Sequence, residues 1–248
     1  MASLSPFAWS LILGFAAAAA NVLGGLFIIS RKHWNEILLK YFVALGAGFM
    51  LAATLLRMLP TSMALTPHAP PLILGGYFLV HFFEHTVAPH FHFGEEVHDD
   101  VMVNPAVGIS ALVGLSIHTF FDGVSIASGF LVSVALGLLV FCAVALHKIP
   151  EGFTVASIAL ASGQGKRRAL LSSVVLAGAT LAGVLVMHRF AGALSYGLPL
   201  STGVTLYVAA SDLMPEVNEE RGIRMALVVF LGVALFQATA LGLEALGV

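Results

Sequence analysis

The sequence predicts an all-α membrane protein, a bundle of eight transmembrane helices. Of its 248 residues, 59% are hydrophobic and only 10% are charged, whereas soluble domains carry about 25% charged residues. The mean hydropathy is +0.99. The apolar residues also fall into runs that are long enough to cross a bilayer, which takes about 20 residues. We therefore interpret residues 1–248 as a single transmembrane domain.

Eight apolar runs are predicted to cross the membrane, and we number these spans 1–8. The first lacks the basic segment and cleavage site of a signal peptide, so we expect it to be retained. The third is the least regular, because it contains His81, Glu84 and His85 and is cut by Pro89. The fifth is long enough to tilt or to project from the bilayer. The spans cover residues 7–30, 37–60, 71–88, 105–127, 132–160, 169–189, 193–215 and 224–245.

The distribution of basic residues predicts the orientation. Cytoplasmic loops of membrane proteins carry an excess of Lys and Arg. The loops after spans 1, 5 and 7 share one side, and the other side holds only Arg189. This predicts that both termini are extracytoplasmic. The basic residues of the first group are Arg31, Lys32, Lys40, Lys166, Arg167, Arg168, Arg221 and Arg224.

Composition also excludes several classes of protein. No basic stripe is present, so we expect no nucleic-acid partner. The single cysteine, Cys142, rules out a disulfide framework. The partner that composition predicts is the lipid bilayer, with no organic cofactor.

One connection, residues 89–104, is longer than the rest and is predicted to be cytoplasmic. Its histidines and acids could capture metal weakly or sense it, or the segment could be a solvated loop. These residues are His90, His92, Glu95, Glu96, His98, Asp99 and Asp100.

Two motifs within the spans predict a metal site. His118 precedes Asp122 by four residues in span 4, and His147 precedes Glu151 by four in span 5. Residues four apart stack on one face of a helix. Imidazole and carboxylate groups from two facing helices suit Zn²⁺ and other first-row divalent ions.

Their position in the membrane indicates a function on energetic grounds. Asp122, Lys148 and Glu151 near mid-bilayer would cost roughly 3 kcal/mol each, about 9 kcal/mol together, on the insertion scale. The alternative is a purely structural ion pair between Lys148 and Glu151, with the histidines bonded to backbone. Gly123 and Gly152, which follow the two acids, are expected to let neighbouring helices approach closely.

With these motifs the chain resembles the ZIP (Zrt-, Irt-like protein) family of divalent metal transporters over essentially its whole length. His118-Thr119-Phe120-Phe121-Asp122-Gly123 is similar to the family's HNxxD/E-G pattern. His147-Lys148-Ile149-Pro150-Glu151-Gly152 is similar to its HExPEG or HNxPEG pattern. GAGFMLAATLLRMLP in span 2 and LYVAASDLMPE in span 7 are similar to two further family segments.

The resemblance implies roles for particular residues. His118, Asp122, His147 and Glu151 would bind the transported metal, and Met50 would face the same site. Asp212, with Ser211 before it, would lie on the metal's entrance or exit route. Asp212 and Glu216 could equally form a solvated helix end.

The chain departs from the family at the second metal position. Thr119 and Lys148 replace two of its ligands, and Gly178 or Ala179 stands where span 6 would supply an acid. An ammonium group would then occupy the place of the second ion, which predicts a single transport site. Arg57 also departs from the family pattern and could lie at the outer mouth.

The resulting hypothesis is uptake of a divalent cation into the cytoplasm, not an enzymatic reaction. Zinc is favoured by ligand type, and Fe²⁺, Mn²⁺, Cd²⁺ and Co²⁺ remain open as substrates. We expect a multi-pass protein of a prokaryotic inner membrane, and the resemblance is compatible with a homodimer. The alternatives are an intramembrane zinc-dependent hydrolase, although HExxH is absent, and a metal sensor that uses the cytoplasmic loop.

Overall fold

The described part of the chain is helical throughout. The structure is a computed structural model, and it describes residues 4–30, 36–87, 105–220 and 222–247. No strand occurs within these ranges. The predicted loop ligands between His90 and Asp100 lie outside the described residues, so their proposed role stays a prediction.

Within the described ranges, eight helices, α1 to α8, coincide with the eight predicted spans. Two of them, α2 and α7, each contain a π-helical turn between two α-helical parts. The bounds are Pro6–Ser30 for α1; Glu36–Ala53, the π turn Thr54–Met58 and Leu59–Leu65 for α2; Ala69–Val87 for α3; Pro105–Val132 for α4; Val134–Ala161 for α5; Gly165–Arg189 for α6; Leu194–Tyr207, the π turn Val208–Leu213 and Met214–Glu219 for α7; and Ile223–Ala245 for α8.

Six of these helices are long and apolar enough to cross a membrane, judged by length and composition within the described residues. They are α1, α2, α4, α5, α6 and α8. The other two fall short for visible reasons. Helix α3 carries His81, Glu84 and His85, and the longest α-helical part of α7 has 14 residues. The chain is therefore a polytopic helical membrane protein, and α3 and α7 pack with the longer helices.

The boundary between α4 and α5 and the place of Lys40 differ from the sequence prediction. Helix α4 continues to Val132, and a single extended residue, Ser133, separates it from α5. The Ser133 hydroxyl accepts a hydrogen bond from the Leu136 amide at 3.1 Å, which caps α5. Lys40 lies inside the first part of α2 rather than in the preceding loop, where it forms an ion pair with Glu220.

The two π-helical turns explain why α2 and α7 continue beyond Pro60 and Pro215, where spans 2 and 7 were predicted to end. A proline inside an α-helix clashes with the carbonyl four residues earlier. For Pro60 and Pro215 those carbonyls belong to Leu56 and Ser211, and both lie within a π turn. The wider turn relieves the clash, and the helix continues beyond the proline.

The eight helices form two four-helix bundles. Helices α1, α4, α5 and α6 contact one another in every pairing, and we call them the ligand bundle. Helices α2, α3, α7 and α8 make the second, the flanking bundle, mainly through the pairs α3–α7 and α2–α8. The bundles meet chiefly where α2 packs on α5 and where α4 packs on α7.

Reciprocal glycines hold helices together within each bundle. Each glycine lies so close to its partner helix that an added Cβ would stand 1.9–2.3 Å from a backbone carbonyl oxygen. Small residues permit this contact between membrane helices. The pairs are Gly24 with Gly152 (α1–α5), Gly123 with Gly183 (α4–α6), Gly76 with Gly203 (α3–α7) and Gly48 with Gly232 (α2–α8).

Candidate metal centre

The hairpin of α4 and α5 places the two predicted motifs side by side. The helices are antiparallel and are joined only by Ser133. His118 precedes Ser133 by almost as many residues as His147 follows it. Because both helices rise by about 1.5 Å per residue, the motifs reach the same height in the bundle.

The four predicted ligands converge at this height. One ligand atom from each of His118, Asp122, His147 and Glu151 lies within 4.8 Å of the others. All four side chains are at most 2% exposed. His147 Nε2 lies 3.3 Å from Asp122 Oδ2, and His118 Nε2 lies 3.2 Å from Glu151 Oε1. The sequence therefore predicted correctly which residues come together.

The hydrogen bonds leave ligand atoms free to bind a cation. His147 Nδ1 lies 3.1 Å from the Ala143 carbonyl oxygen. A carbonyl only accepts, so Nδ1 is the donor in this hydrogen bond, and Nε2 is the ring nitrogen that faces Asp122. Among the described residues, neither His118 ring nitrogen nor Asp122 Oδ1 has a hydrogen-bond partner. Buried polar atoms are rarely left in this state unless an ion or water completes them.

Lys148 lies in the centre of the same cluster. Its side chain is fully buried, and its Nζ is 2.7 Å from Asp122 Oδ2. The same ammonium group pairs with Glu151 and lies 3.4 Å from Thr119 Oγ1. Thr119 in turn donates a hydrogen bond to Glu151. A fixed cation thus bridges the two carboxylates, and its substitution for a second metal ion stays a prediction.

Two glycines fix the ligand helices against their neighbours. A Cβ on Gly123 would stand 1.9 Å from the Thr180 carbonyl oxygen of α6. A Cβ on Gly152 would stand 1.9 Å from the Asn21 carbonyl oxygen of α1. The close helix approach predicted for both glycines is therefore confirmed, and each acidic ligand is held by the contact beside it.

The flanking bundle brings Met50 towards this cluster. Met50 is fully buried and belongs to the same apolar cluster as Ala143 of α5, which lies one turn before His147. One turn earlier on α2, Gly46 lies beside His147, where an added Cβ would be 3.7 Å from the His147 backbone nitrogen. Met50 therefore lies next to the ligand cluster, and its contact with metal stays a prediction.

Comparison with known proteins fits this geometry. The sequence model of the ZIP zinc transporter family matches residues 92–240, which include all four converging ligands. The chain belongs to the ZIP family. It is 30% identical over 123 residues to the zinc transporter ZupT of Shigella flexneri, covering 46% of this chain and 48% of ZupT. It is 26% identical over 110 residues to the zinc transporter zipt-7.2 of Caenorhabditis elegans, covering 41% of this chain and 24% of that protein. The chain spans about half the length, or less, of these curated relatives.

In this ZIP protein the predicted route residues of α7 lie in and after its π turn. Ser211 Oγ is 2.8 Å from the Tyr77 hydroxyl of α3, and Asp212 is 6% exposed. Glu216 follows Asp212 by one turn, in the part of α7 that continues beyond Pro215. The contact of Tyr77 with Ser211 was not predictable, because no spacing in the sequence relates α3 to α7.

Arg57 takes a different place from the converging ligands. It lies in the π turn of α2 and forms an ion pair with Glu244 at the end of α8. The pair borders a cavity of about 160 Å³ that is also lined by Ser133 and Leu139. The cavity lies between the two bundles, at the α4–α5 hairpin. The predicted place of Arg57 at the outer mouth stays a prediction.

Proposed function

We propose that this protein carries a divalent metal cation, zinc in preference, into the cytoplasm through a single site between α4 and α5. The observation that carries the proposal is the convergence of His118, Asp122, His147 and Glu151 inside a bundle of apolar helices. Buried ionised carboxylates are costly unless a cation accompanies them. The family match and the zinc transporters among the relatives support a transported metal.

The donor set favours zinc and its neighbours. Two imidazoles and two carboxylates suit Zn²⁺, and they also accept Fe²⁺, Mn²⁺, Co²⁺ and Cd²⁺. The metal is the substrate, and no organic cofactor enters the proposal. Binding requires neutral histidines and ionised carboxylates, so uptake is expected to weaken as the medium becomes acidic.

Lys148 is the reason for proposing one metal rather than two. Its ammonium group lies between Asp122 and Glu151, on the side where a second ion would need the same carboxylates. Thr119 offers a neutral hydroxyl, and α6 contributes no acid. Two adjacent metal peaks in anomalous scattering from crystals would contradict this part of the proposal.

The route runs from Met50 towards the π turn of α7. With both termini outside, the cation would pass Met50, bind the four ligands and leave past Ser211, Asp212 and Glu216. The acidic, His-rich residues 89–104 would receive it in the cytoplasm. All four ligands belong to one bundle, whereas Met50 and Asp212 belong to the other. Movement of the ligand bundle against the flanking bundle would carry the site intact.

The proposed setting is the inner membrane of a bacterial cell. The match to ZupT of Shigella flexneri supports it, as do the six helices long enough to cross a membrane. Eight spans with extracytoplasmic termini follow from the charge distribution. The proposed partners are the metal and the bilayer, without nucleic acid, and a homodimer is the assembly that we expect.

Two other functions are weaker. An intramembrane zinc hydrolase would need an open coordination position with an activated water, but here Lys148 bridges the two acids. A metal sensor that depends on residues 89–104 would lose its function when they are deleted. The transporter proposal instead expects retained but altered uptake after that deletion.

Radiometal uptake into proteoliposomes tests the proposal. His147→Ala and Glu151→Ala should each reduce zinc uptake by about tenfold or more, because each removes a metal ligand from a buried site. His188→Ala and Glu244→Gln serve as matched controls, since His188 bonds to Ser10 and Glu244 pairs with Arg57. Unchanged uptake in both site variants would refute the proposed roles.

A further inference from the structure

The charge of Lys148 bears on how the site moves as well as on how many metals it binds. This inference rests on the proposed transport function. Its ammonium group contacts both acidic ligands, at 2.7 Å from Asp122 Oδ2 and in an ion pair with Glu151. Thr119 Oγ1, at 3.4 Å, completes a set of three oxygen atoms around Nζ. All of these side chains are buried. The site therefore contains a counter-ion that belongs to the chain itself.

A carrier must move its site across the membrane in two states. Net uptake needs the loaded site to move inward and the empty site to return. A carrier whose empty site cannot return can only exchange one metal for another. Two buried carboxylates without a cation would oppose that return, because charge in an apolar medium is costly.

Lys148 makes the net charges of the empty and the loaded site similar in size. Two carboxylates and one ammonium give the empty site a net charge of about −1, and a divalent cation changes it to about +1. Without Lys148 the empty site would carry about −2 and the loaded site about 0. The empty state would then be the harder one to move, unless another cation or protons accompanied it.

We propose that Lys148 is a tethered counter-ion that lets the empty site return, so that metal uptake needs no co-transported or counter-transported cation. The ammonium takes the position that a returning cation or proton would otherwise fill. It is a positioning residue for the acids and does not travel with the metal. Each metal ion then enters with its own charge of about two and with no proton moving outward.

The first experiment uses the unaltered protein. Proteoliposomes contain a pH-sensitive dye, with equal potassium and valinomycin on both sides to hold the membrane potential at zero. Zinc uptake should leave the internal pH unchanged, and an applied inside-negative potential should accelerate it. Internal alkalinisation in proportion to zinc uptake, absent from protein-free vesicles, would overturn the proposal.

The second experiment compares net uptake with exchange. Radioactive zinc enters either empty vesicles or vesicles preloaded with unlabelled zinc. In Lys148→Met, net uptake should fall relative to exchange by about tenfold or more, because the buried acids lose their counter-charge. Lys148→Arg, which keeps the charge, should preserve the ratio found in the unaltered protein.

The outcomes separate this inference from the proposed function. An equal fall of net uptake and exchange in Lys148→Met would show a structural role only and would overturn the inference. Neither uptake nor exchange of any divalent metal by the unaltered protein would overturn the proposed function, and the inference with it. The dye measurement holds whether or not the variants fold.

Discussion

The ligand bundle and the flanking bundle are built alike but bury different groups between their helices. In both, paired glycines bring two pairs of helices into backbone contact. The ligand bundle buries two histidines, two acids and a lysine on helices α4 and α5, which are α-helical throughout. The flanking bundle instead contains both π turns and an apolar cluster around Met50 and Phe236.

This difference indicates how the two parts would work together. The complete ligand set lies on one bundle, so displacement of that bundle as a unit would not separate the ligands. The contact between α2 and α5 is looser at Gly46, where an added Cβ would meet α5 at 3.7 Å, an ordinary van der Waals distance. The reciprocal glycines within the bundles leave no such room.

The largest expected effect comes from joining the two bundles covalently. A Cβ on Gly46 of α2 would lie 3.7 Å from the Leu146 Cβ of α5, which matches the mean of about 3.8 Å in disulfides. In a Cys142→Ser background, oxidised Gly46→Cys/Leu146→Cys should lose zinc uptake almost completely, and a reductant should restore it. Uptake is measured in proteoliposomes before and after reduction.

A matched pair within the ligand bundle provides the control. A Cβ on Gly14 of α1 would lie 3.8 Å from the Val184 Cβ of α6. Oxidised Gly14→Cys/Val184→Cys should transport as well as its reduced form, because the link joins helices that move together. Full uptake by the oxidised cross-bundle protein would show that α2 and α5 need not separate.

The second prediction uses two glycines of α2 that differ in which bundle they face. A Cβ on Gly48 would stand 2.0 Å from the Val229 carbonyl oxygen of α8 within the flanking bundle. Gly48→Ala should destabilise the protein by about 1–3 kcal/mol, because the backbones must separate. Gly46→Ala faces ordinary contacts and should change stability by less than about 1 kcal/mol. Thermal unfolding in detergent measures both, and equal losses would contradict the distinction between the two interfaces.

The ligand set was predictable from the sequence because its geometry is local. Spacing of four places His118 with Asp122, and His147 with Glu151, on any α-helix. The roles of Gly123 and Gly152 followed from their position beside the acids. The helix ends at Pro60 and Pro215 were wrong, because a π turn accommodates each proline and no local signal reveals it. The partners of the glycines and the contact of Tyr77 with Ser211 depend on tertiary packing, which a single sequence does not encode at a fixed spacing.

The smallest effect is expected at the exposed ion pair of the flanking bundle. Arg57 and Glu244 join the ends of α2 and α8, and their side chains are 42% and 56% exposed. Exposed ion pairs contribute about 0–1 kcal/mol and are screened by salt. A double-mutant cycle with Arg57→Gln and Glu244→Gln, followed by thermal unfolding at low and high salt, should give a coupling below about 1 kcal/mol that shrinks with salt. A larger coupling that resists salt would mean that the pair is shielded from solvent in the membrane-embedded protein. Lys148 forms the same kind of ion pair where it is fully buried. Comparing the two pairs therefore measures how much burial changes the strength of an ion pair.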